Sequence, residues 1–190
     1  MHRLRRKSRS RPVSRAGWLA AFVARLNWIF FPAADGSDRG RAKPTGVDGP
    51  RGVGPRILLV DDTPSYRGEA CDLLASYGLT PTVAADGAEA VALACARDFD
   101  LILMDLQMPV LDGLEATKQI RRFEGEQGRV GVPVVAYTAR ALDDDVLRRC
   151  GIDGVLEKPC SARALQECLL RWCVPRSGAG LMRTASPVLD

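Results

Sequence analysis

The chain has 190 residues, enough for one domain with a hydrophobic core plus extensions, and 26% of them are charged. Its single histidine is His2, which excludes catalytic triads, histidine-ligated zinc sites and a phosphorylatable histidine from the rest of the chain. Residues 1–56 hold 13 Lys and Arg against three Asp, whereas the remainder holds 14 against 20 acidic residues. The overall charge of +4 is therefore the sum of a basic segment at +10 and an acidic body at −6.

The basic segment is predicted to be an extension and a linker. Residues 18–31 form an apolar run that Arg25 and Asn27 interrupt. This run is shorter than the roughly 20 residues that cross a bilayer, and the arginine inside it argues against a signal peptide. Its sequence fits either a short amphipathic segment that touches an anionic membrane surface or an extension without a function. Residues 32–55, rich in Gly, Pro, Asp and Arg, are predicted to be a flexible linker.

Five short apolar runs follow the linker, and each is typical of a strand buried on both faces of a parallel sheet. They comprise residues 57–60, 81–84, 101–104, 134–137 and 154–156. Helical patterns alternate with them. The first helix is predicted to begin at Pro64 and to end before Gly78, a residue suited to a helix C-terminus. The second and third begin at Asp86 and Asp112, each with a glutamate three residues on, as in a capping box.

The sequence also predicts the fourth and fifth helices and the end of the third. The fourth helix is predicted over about residues 141–150, and the fifth begins at Ser161. Arg121 and Arg122 are expected to end the third helix, where positive charge suits the helix dipole. Residues 125–132 are expected to form the loop after that helix.

Five alternating strands and helices over about 120 residues predict an open parallel sheet with helices on both faces. Right-handed crossovers favour the flavodoxin-like strand order 2-1-3-4-5, which gives a three-layer α/β sandwich. We therefore assign residues 56–174 to one (βα)5 domain. Residues 1–55 form the basic arm and linker, and residues 175–190 form a flexible tail rich in Ser, Gly, Ala and Pro.

Chemically capable side chains follow four of the predicted strands. Asp61 and Asp62 follow the first strand, Asp105 the third and Thr138 the fourth, and Lys158 lies two residues beyond the fifth. Ligands of such sheets bind beyond the carboxyl ends of the strands, beside the point where the strand order reverses. We therefore expect these five residues to lie together in one site.

Three clustered carboxylates repel one another, and a divalent cation removes that repulsion. Mg²⁺ suits the cluster because it is a hard ion that accepts a few carboxylates and keeps its waters. A remaining carboxylate can then attack phosphorus and become an aspartyl phosphate. A lysine and a hydroxyl supply positive charge and hydrogen bonds to the other phosphoryl oxygens. The residue set therefore predicts phosphoryl transfer onto an aspartate.

Four motifs at these strand ends resemble the receiver domains of two-component response regulators. They are residues 57–62 (ILLVDD), 103–113 (LMDLQMPVLDG), 134–139 (VVAYTA) and 156–159 (LEKP). The resemblance covers about residues 56–174, nearly two thirds of the chain. The sequence of the second motif is most similar to that of receivers associated with hybrid histidine kinases.

This resemblance implies a role for each residue of the site. Asp105 corresponds to the phosphoacceptor, Thr138 to the hydroxyl that moves toward the phosphoryl group, and Lys158 to the ammonium that pairs with it. Lys158 and Pro159 correspond to a cis peptide. The implied ligands of Mg²⁺ are the carboxylates of Asp62 and Asp105 and the backbone carbonyl of Gln107. Asp61 is implied to hold the ion through water.

The sequence departs from the receiver pattern in two places. Receivers often have Tyr or Phe two residues into the fifth strand, and this chain has Val155. Tyr137, directly before Thr138, replaces the usual aliphatic residue. The resemblance therefore implies the phosphorylation chemistry, whereas the aromatic-coupled rearrangement of the fourth and fifth strands is not expected to take its familiar form.

The implied function is a signalling module that catalyses only its own phosphorylation and dephosphorylation. A histidine kinase or a histidine phosphotransfer protein donates to Asp105, and the added charge changes protein–protein contacts. Because the tail is too short for a DNA-binding or catalytic output domain, we expect a stand-alone cytoplasmic receiver. The six cysteines lack metal-ligand spacing and are predicted to be reduced thiols.

Two alternatives stay open at this stage. A phosphatase that also uses an aspartyl phosphate needs Asp-x-Asp after its first strand, whereas Asp61 and Asp62 are adjacent. An adaptor whose basic arm binds nucleic acid or an anionic membrane would place the main activity outside the domain, with a strong dependence on salt.

Overall fold

The structure is a computed structural model that describes residues 54–139 and 143–173. The predicted amphipathic segment 18–31, most of the linker and the tail 175–190 lie outside the described residues. The described elements alternate as predicted: β1 (Ile57–Val60), α1 (Pro64–Ser76), β2 (Thr82–Ala84), α2 (Gly87–Ala96), β3 (Leu101–Met104), α3 (Gly113–Glu126), β4 (Val134–Thr138), α4 (Asp144–Arg149), β5 (Gly154–Glu157) and α5 (Ala162–Trp172).

The five strands form one parallel sheet in the order β2-β1-β3-β4-β5, which confirms the predicted topology. Every residue of β1, β3 and β4 is buried, because helices cover both faces of the sheet. On one face, Leu59 and Leu103 pack with side chains of α1 and α5. On the other face, Leu58 and Ile102 pack with side chains of α2, α3 and α4. The result is a three-layer support for the residues at the strand ends.

The helix N-termini follow the predicted capping residues. Asp86, Asp112 and Ser161 each accept a hydrogen bond from the backbone N–H three residues on, which fixes where α2, α3 and α5 begin. The predicted start of the fourth helix near residue 141 is wrong. Asp143 has extended backbone and caps the helix, which therefore begins at Asp144; residues 140–142 lie outside the described part of the chain.

The end of α3 also differs from the prediction. The helix continues through Gly125 to Glu126, so the loop before β4 is shorter than expected. Arg121 does more than complement the helix dipole, which corrects the expectation for that residue. Its guanidinium donates to the carbonyls of Val132 (2.8 Å) and Gly151 (2.8 and 3.0 Å) and pairs with two acids described below. Gly151 has φ of +84°, and a Cβ there would lie 2.8 Å from Cγ of Arg121.

The six cysteines are free, as predicted, and Cys150 and Cys168 are buried. Burial raises the pKa of the Cys168 thiol to about 12, so this thiol stays protonated at neutral pH and acts as a small apolar side chain. Of the helices in the described ranges, none combines the length and the hydropathy needed to span a bilayer.

Candidate functional site

The sheet brings the predicted site residues to its carboxyl edge. Asp61 follows β1 and Asp105 follows β3, and the two strands are neighbours. The backbone N–H of Asp105 donates to the carbonyl of Val60 (2.9 Å), so the ladder continues to the acid itself. Thr138 ends β4, and its carbonyl accepts a hydrogen bond from the N–H of Lys158 (2.9 Å), which follows β5. Adjacent parallel strands therefore place all of these residues at one edge.

Three carboxylates form the centre of the site. One carboxylate oxygen from each of Asp61, Asp62 and Asp105 lies within 4.8 Å of the others. Asp61 is fully buried, Asp105 is 5% exposed, and Asp62 is half-buried on the solvent side. Removing like charges from water at this spacing is unfavourable unless a cation compensates them.

Lys158 supplies one positive charge to this cluster. Its Nζ lies 2.6 Å from Oδ2 of Asp105 and 2.7 Å from Oδ2 of Asp61, and its side chain is 3% exposed. The contact to Asp105 is a well-directed hydrogen bond. One ammonium thus serves two buried carboxylates, and the three acids keep a formal charge of −2 after it is counted.

Backbone N–H groups orient the carboxylates. The N–H of Thr63 donates to Oδ1 of Asp61 (2.8 Å), and the N–H of Gln107 donates to Oδ1 of Asp105 (3.1 Å). The Thr63 hydroxyl donates to Oδ1 of Asp62 (3.2 Å). In Asp61 and Asp105, Oδ1 is thus held by a backbone N–H, while Oδ2 lies against Nζ of Lys158.

Oδ2 of Asp61 is the least satisfied atom of the site. Although it lies close to Nζ of Lys158, the angles are not those of a hydrogen bond, and it accepts none from any described residue. A fully buried carboxylate oxygen without a directed donor is costly. Together with the residual negative charge, this oxygen makes the three acids suitable for Mg²⁺, which prefers carboxylate oxygens. The residues present therefore fit the predicted metal.

Close backbone packing explains the glycine of the second motif. A Cβ at Gly113 would lie 1.9 Å from the carbonyl oxygen of Asp105. Only glycine lets the first turn of α3 approach Asp105 this closely. In the loop between them, Val110 has φ of +69° and is 92% exposed. Gln107 is exposed, and the predicted role of its carbonyl as a metal ligand stays a prediction.

Two residues of the first turn of α1 contribute to the site although the sequence analysis did not identify them. Tyr66 places its ring 5.2 Å from Nζ of Lys158, and Arg67 donates to the backbone carbonyl of Asp61 (2.6 Å). Their place at the site could have been predicted from their position a few residues after Asp61, because the helix begins beside the site. The pattern of charged residues alone did not indicate that these two residues lie at the site.

Tyr137 and Val155, the two departures from the receiver pattern, have different environments. Tyr137 is buried in the core, with its ring 4.9 Å from Nζ of Lys158. Burial and the neighbouring Cys160 thiol raise the pKa of its hydroxyl, which therefore stays protonated. Val155 is 52% exposed on the surface of β5.

The family is shown by sequence comparison. The profile of the response regulator receiver domain matches residues 57–170, more than half of the chain. The chain belongs to the receiver domain family. The predicted resemblance is confirmed, including its similarity to receivers within hybrid kinases.

Sensor kinases from distant organisms are among the relatives of this receiver. It is 39% identical over 120 residues to the sensor protein GacS of Pseudomonas syringae pv. syringae, a match that covers 62% of this chain and 13% of GacS. It is 36% identical over 121 residues to hybrid signal transduction histidine kinase G of Dictyostelium discoideum, covering 62% and 4% of the two chains. The chain thus corresponds to a small part of these relatives.

Two solved receiver structures have the same fold. The receiver domain of the sensor histidine kinase PA1611 of Pseudomonas aeruginosa PAO1, solved with a magnesium ion in its active-site cleft, is 38% identical with a TM-score of 0.55. The alignment covers 63% of this chain and 98% of that one. The Saccharomyces cerevisiae receiver of Ssk1, solved with the histidine phosphotransfer protein Ypd1, gives 32% identity, a TM-score of 0.59, and coverage of 63% and 90%.

Proposed function

We propose that this receiver accepts a phosphoryl group on Asp105 from the phosphohistidine of a histidine kinase or a histidine phosphotransfer protein, with Mg²⁺ as cofactor. The observation that carries the proposal is the contact of one buried ammonium, Lys158, with both Asp105 and Asp61 inside a cluster of three acids. The cluster combines a nucleophile, ligands for a cation and a fixed positive charge, which are the requirements of phosphoryl transfer.

Asp105 is the nucleophile. One oxygen of its carboxylate attacks phosphorus, the phosphorus–nitrogen bond of the donor breaks, and the imidazole nitrogen keeps the bonding electron pair. Oδ1 is held by the N–H of Gln107 and Oδ2 by Lys158, so the carboxylate is oriented before the donor arrives. Orientation of this kind is the main contribution that a protein makes to phosphoryl transfer.

Asp61 and Asp62 would hold Mg²⁺ together with Asp105 and the carbonyl of Gln107. When bound, the ion neutralises negative charge on the phosphoryl oxygens. Asp61 is fixed by the N–H of Thr63 and has a buried oxygen without a directed donor, so it is ready to accept a cation. The Mg²⁺-bound receiver of PA1611 supports this assignment for a relative of the same fold.

Lys158 and Thr138 would contact the phosphoryl group after transfer. Lys158 already lies against Oδ2 of Asp105, and its ammonium can pair with a phosphoryl oxygen placed there. Thr138 is 3% exposed at the end of β4, and its hydroxyl is the group that would turn toward the phosphoryl oxygens. The new charge then shifts the population of surface conformations that partner proteins bind.

The proposal extends to the partner and the location. The described residues contain no histidine, so the phosphohistidine comes from outside this domain. The complex of Ypd1 with the Ssk1 receiver supports a phosphotransfer protein as one such donor. Free thiols are typical of a reducing compartment, which supports the cytoplasm as the place of reaction.

The test is phosphorylation of the full chain with acetyl phosphate and Mg²⁺, followed by intact-mass spectrometry. We expect the wild type to gain one phosphoryl group and Asp105→Asn to gain none. Asp100→Asn is the matched control, because this acid lies before β3 rather than after it, and it should be labelled like the wild type. An unlabelled wild type, or equal labelling of Asp105→Asn, would contradict the proposed function.

A further inference from the structure

The ammonium of Lys158 is enclosed by two aromatic rings as well as two carboxylates. Nζ lies 4.9 Å from the ring centroid of Tyr137 and 5.2 Å from that of Tyr66. Tyr137 is part of β4, whereas Tyr66 is half-buried in the first turn of α1. Two elements that are not adjacent in sequence therefore bring a ring to the same charged atom.

We propose that Tyr66 and Tyr137 are positioning residues for phosphoryl transfer, which hold the Lys158 ammonium against Asp105 by cation–π contacts. This inference rests on the proposed function and adds two residues to it. Neither tyrosine touches the reacting atoms, and each acts through Lys158.

The physical basis is the number of donors on the ammonium. Lysine has three N–H groups and no acceptor. One N–H is directed to Oδ2 of Asp105, and the close contact with Asp61 lacks hydrogen-bond geometry. The side chain is 3% exposed, so water has little access to the remaining N–H groups. The negative faces of two rings satisfy the charge without fixing a hydrogen-bond direction.

This arrangement suits an ammonium that must change partner during a reaction. Hydrogen bonds that it donates to fixed acceptors would hold the Lys158 ammonium in one orientation. A ring face attracts the ammonium over a range of positions, so Nζ can turn from the carboxylate of Asp105 to a phosphoryl oxygen without losing the contact. The rings also keep out water, which strengthens the field of the ammonium at the acceptor.

Tyr66 is the better residue for a test, because it lies on the half-exposed first turn of α1 and not in the core. Tyr66→Leu removes the ring but keeps an apolar side chain, and Tyr66→Phe restores the ring without the hydroxyl. Loss of a desolvated cation–π contact in the transition state corresponds to a rate decrease of roughly tenfold. We expect this decrease for Tyr66→Leu and a rate within about twofold of the wild type for Tyr66→Phe.

The matched control is Tyr77→Phe, at the C-cap of the same helix. Tyr77 donates its hydroxyl hydrogen bond to the carbonyl of Ala162, away from the acid cluster, and its loss should leave the phosphorylation rate unchanged. Rates are measured on the full chain with acetyl phosphate at saturating Mg²⁺, by intact-mass spectrometry against time. Thermal melting of each variant confirms that the compared samples are folded.

A second measurement reports the ring contact without phosphorylation. Lysine is present four times in the chain, so ¹³C-lysine labelling gives a small set of Hε signals in NMR spectra. The Hε signal of Lys158, assigned from Lys158→Arg, should be shifted upfield by the rings. The shift should decrease in Tyr66→Leu and persist in Tyr66→Phe. The chemical shift of Lys158 can be measured in every folded variant, including one that takes up no phosphoryl group.

The outcomes separate this inference from the proposed function. A wild type that reacts, with Tyr66→Leu reacting at the same rate, overturns the positioning role while the phosphoacceptor role stands. An Hε signal of Lys158 at the position of the exposed lysines also overturns it. A wild type that takes no phosphoryl group contradicts the proposed function itself, and the positioning role falls with it.

Discussion

The two edges of the sheet contain similar charged residues but compensate them differently. At the carboxyl edge, three acids share the ammonium of Lys158. At the amino edge, Arg121 lies between Glu124 (2.7 Å) and Asp153 (2.9 Å). These two acids also accept backbone hydrogen bonds, from the N–H of Val132 (2.7 Å) and of Val134 (2.9 Å).

The two edges thus differ in how their charges are compensated rather than in residue type. The Arg121 network joins α3, the loop before β4 and the turn before β5, and each of its acids has both an ion pair and an N–H donor. The acid cluster at the other edge leaves a buried oxygen of Asp61 without a directed donor. Such an oxygen, in a cluster that keeps a residual negative charge, is suited to ligate a cation.

The largest expected effect on stability concerns the amino edge. Arg121→Met should lower the free energy of unfolding by about 3 kcal/mol, because two half-buried acids lose their ion-pair partner and two carbonyls lose a donor. Urea unfolding measures this change. Arg122→Met is the control, since its side chain is 80% exposed and should cost under about 0.5 kcal/mol. An equal decrease in the free energy of unfolding for the two variants would contradict the structural role of Arg121 at this edge.

The second effect concerns Mg²⁺ and the carboxyl edge. At a hundred times its dissociation constant, Mg²⁺ should stabilise the wild type by about 2.7 kcal/mol, because only the folded chain assembles the three acids. Asp62→Asn should lose most of this stabilisation, and Arg121→Met should keep it. Thermal melting of the full chain with increasing Mg²⁺ tests both statements. Equal stabilisation of Asp62→Asn and the wild type would argue against the metal site.

The smallest effect is measured without Mg²⁺. Replacing an acid by its amide should change the free energy of unfolding in opposite directions at the two edges. Asp62→Asn removes one of three like charges and should raise the free energy of unfolding by about 0.5–1 kcal/mol. Asp153→Asn removes a paired charge and should lower it by about 1–2 kcal/mol. Both variants keep the shape of the side chain, so they form a matched pair in urea unfolding. A change of the same sign at both edges would contradict the contrast between them.

Much of the fold and of the site was predictable because each rests on local patterns. Continuous apolar runs indicated the buried strands, and Asp86, Asp112 and Ser161 indicated three helix starts. Strand ends in a parallel sheet meet at one edge, so Asp61, Asp105 and their neighbours were expected together from position alone. The predicted roles of these residues in phosphoryl transfer and metal binding stay predictions until they are measured.

Other features depend on contacts distant in sequence. Arg121 was interpreted from its place in α3, whereas its partners Gly151 and Asp153 lie 30 and 32 residues later. Tyr66 was overlooked because its contact with the ammonium of Lys158 joins two residues far apart in sequence rather than residues of one motif. Helix α4 begins at Asp144, later than predicted, because Asp143 caps the helix.

The most direct test of the central claim is to locate the phosphoryl group. The full chain is phosphorylated with acetyl phosphate and Mg²⁺ and then treated with sodium borohydride, which reduces an aspartyl phosphate to homoserine. Peptide mass spectrometry reads which aspartate has changed. We expect homoserine at Asp105 and unaltered aspartate at Asp61 and Asp62. Homoserine at another position, or at none in a chain that has gained phosphate, would contradict the assignment of Asp105 as the acceptor.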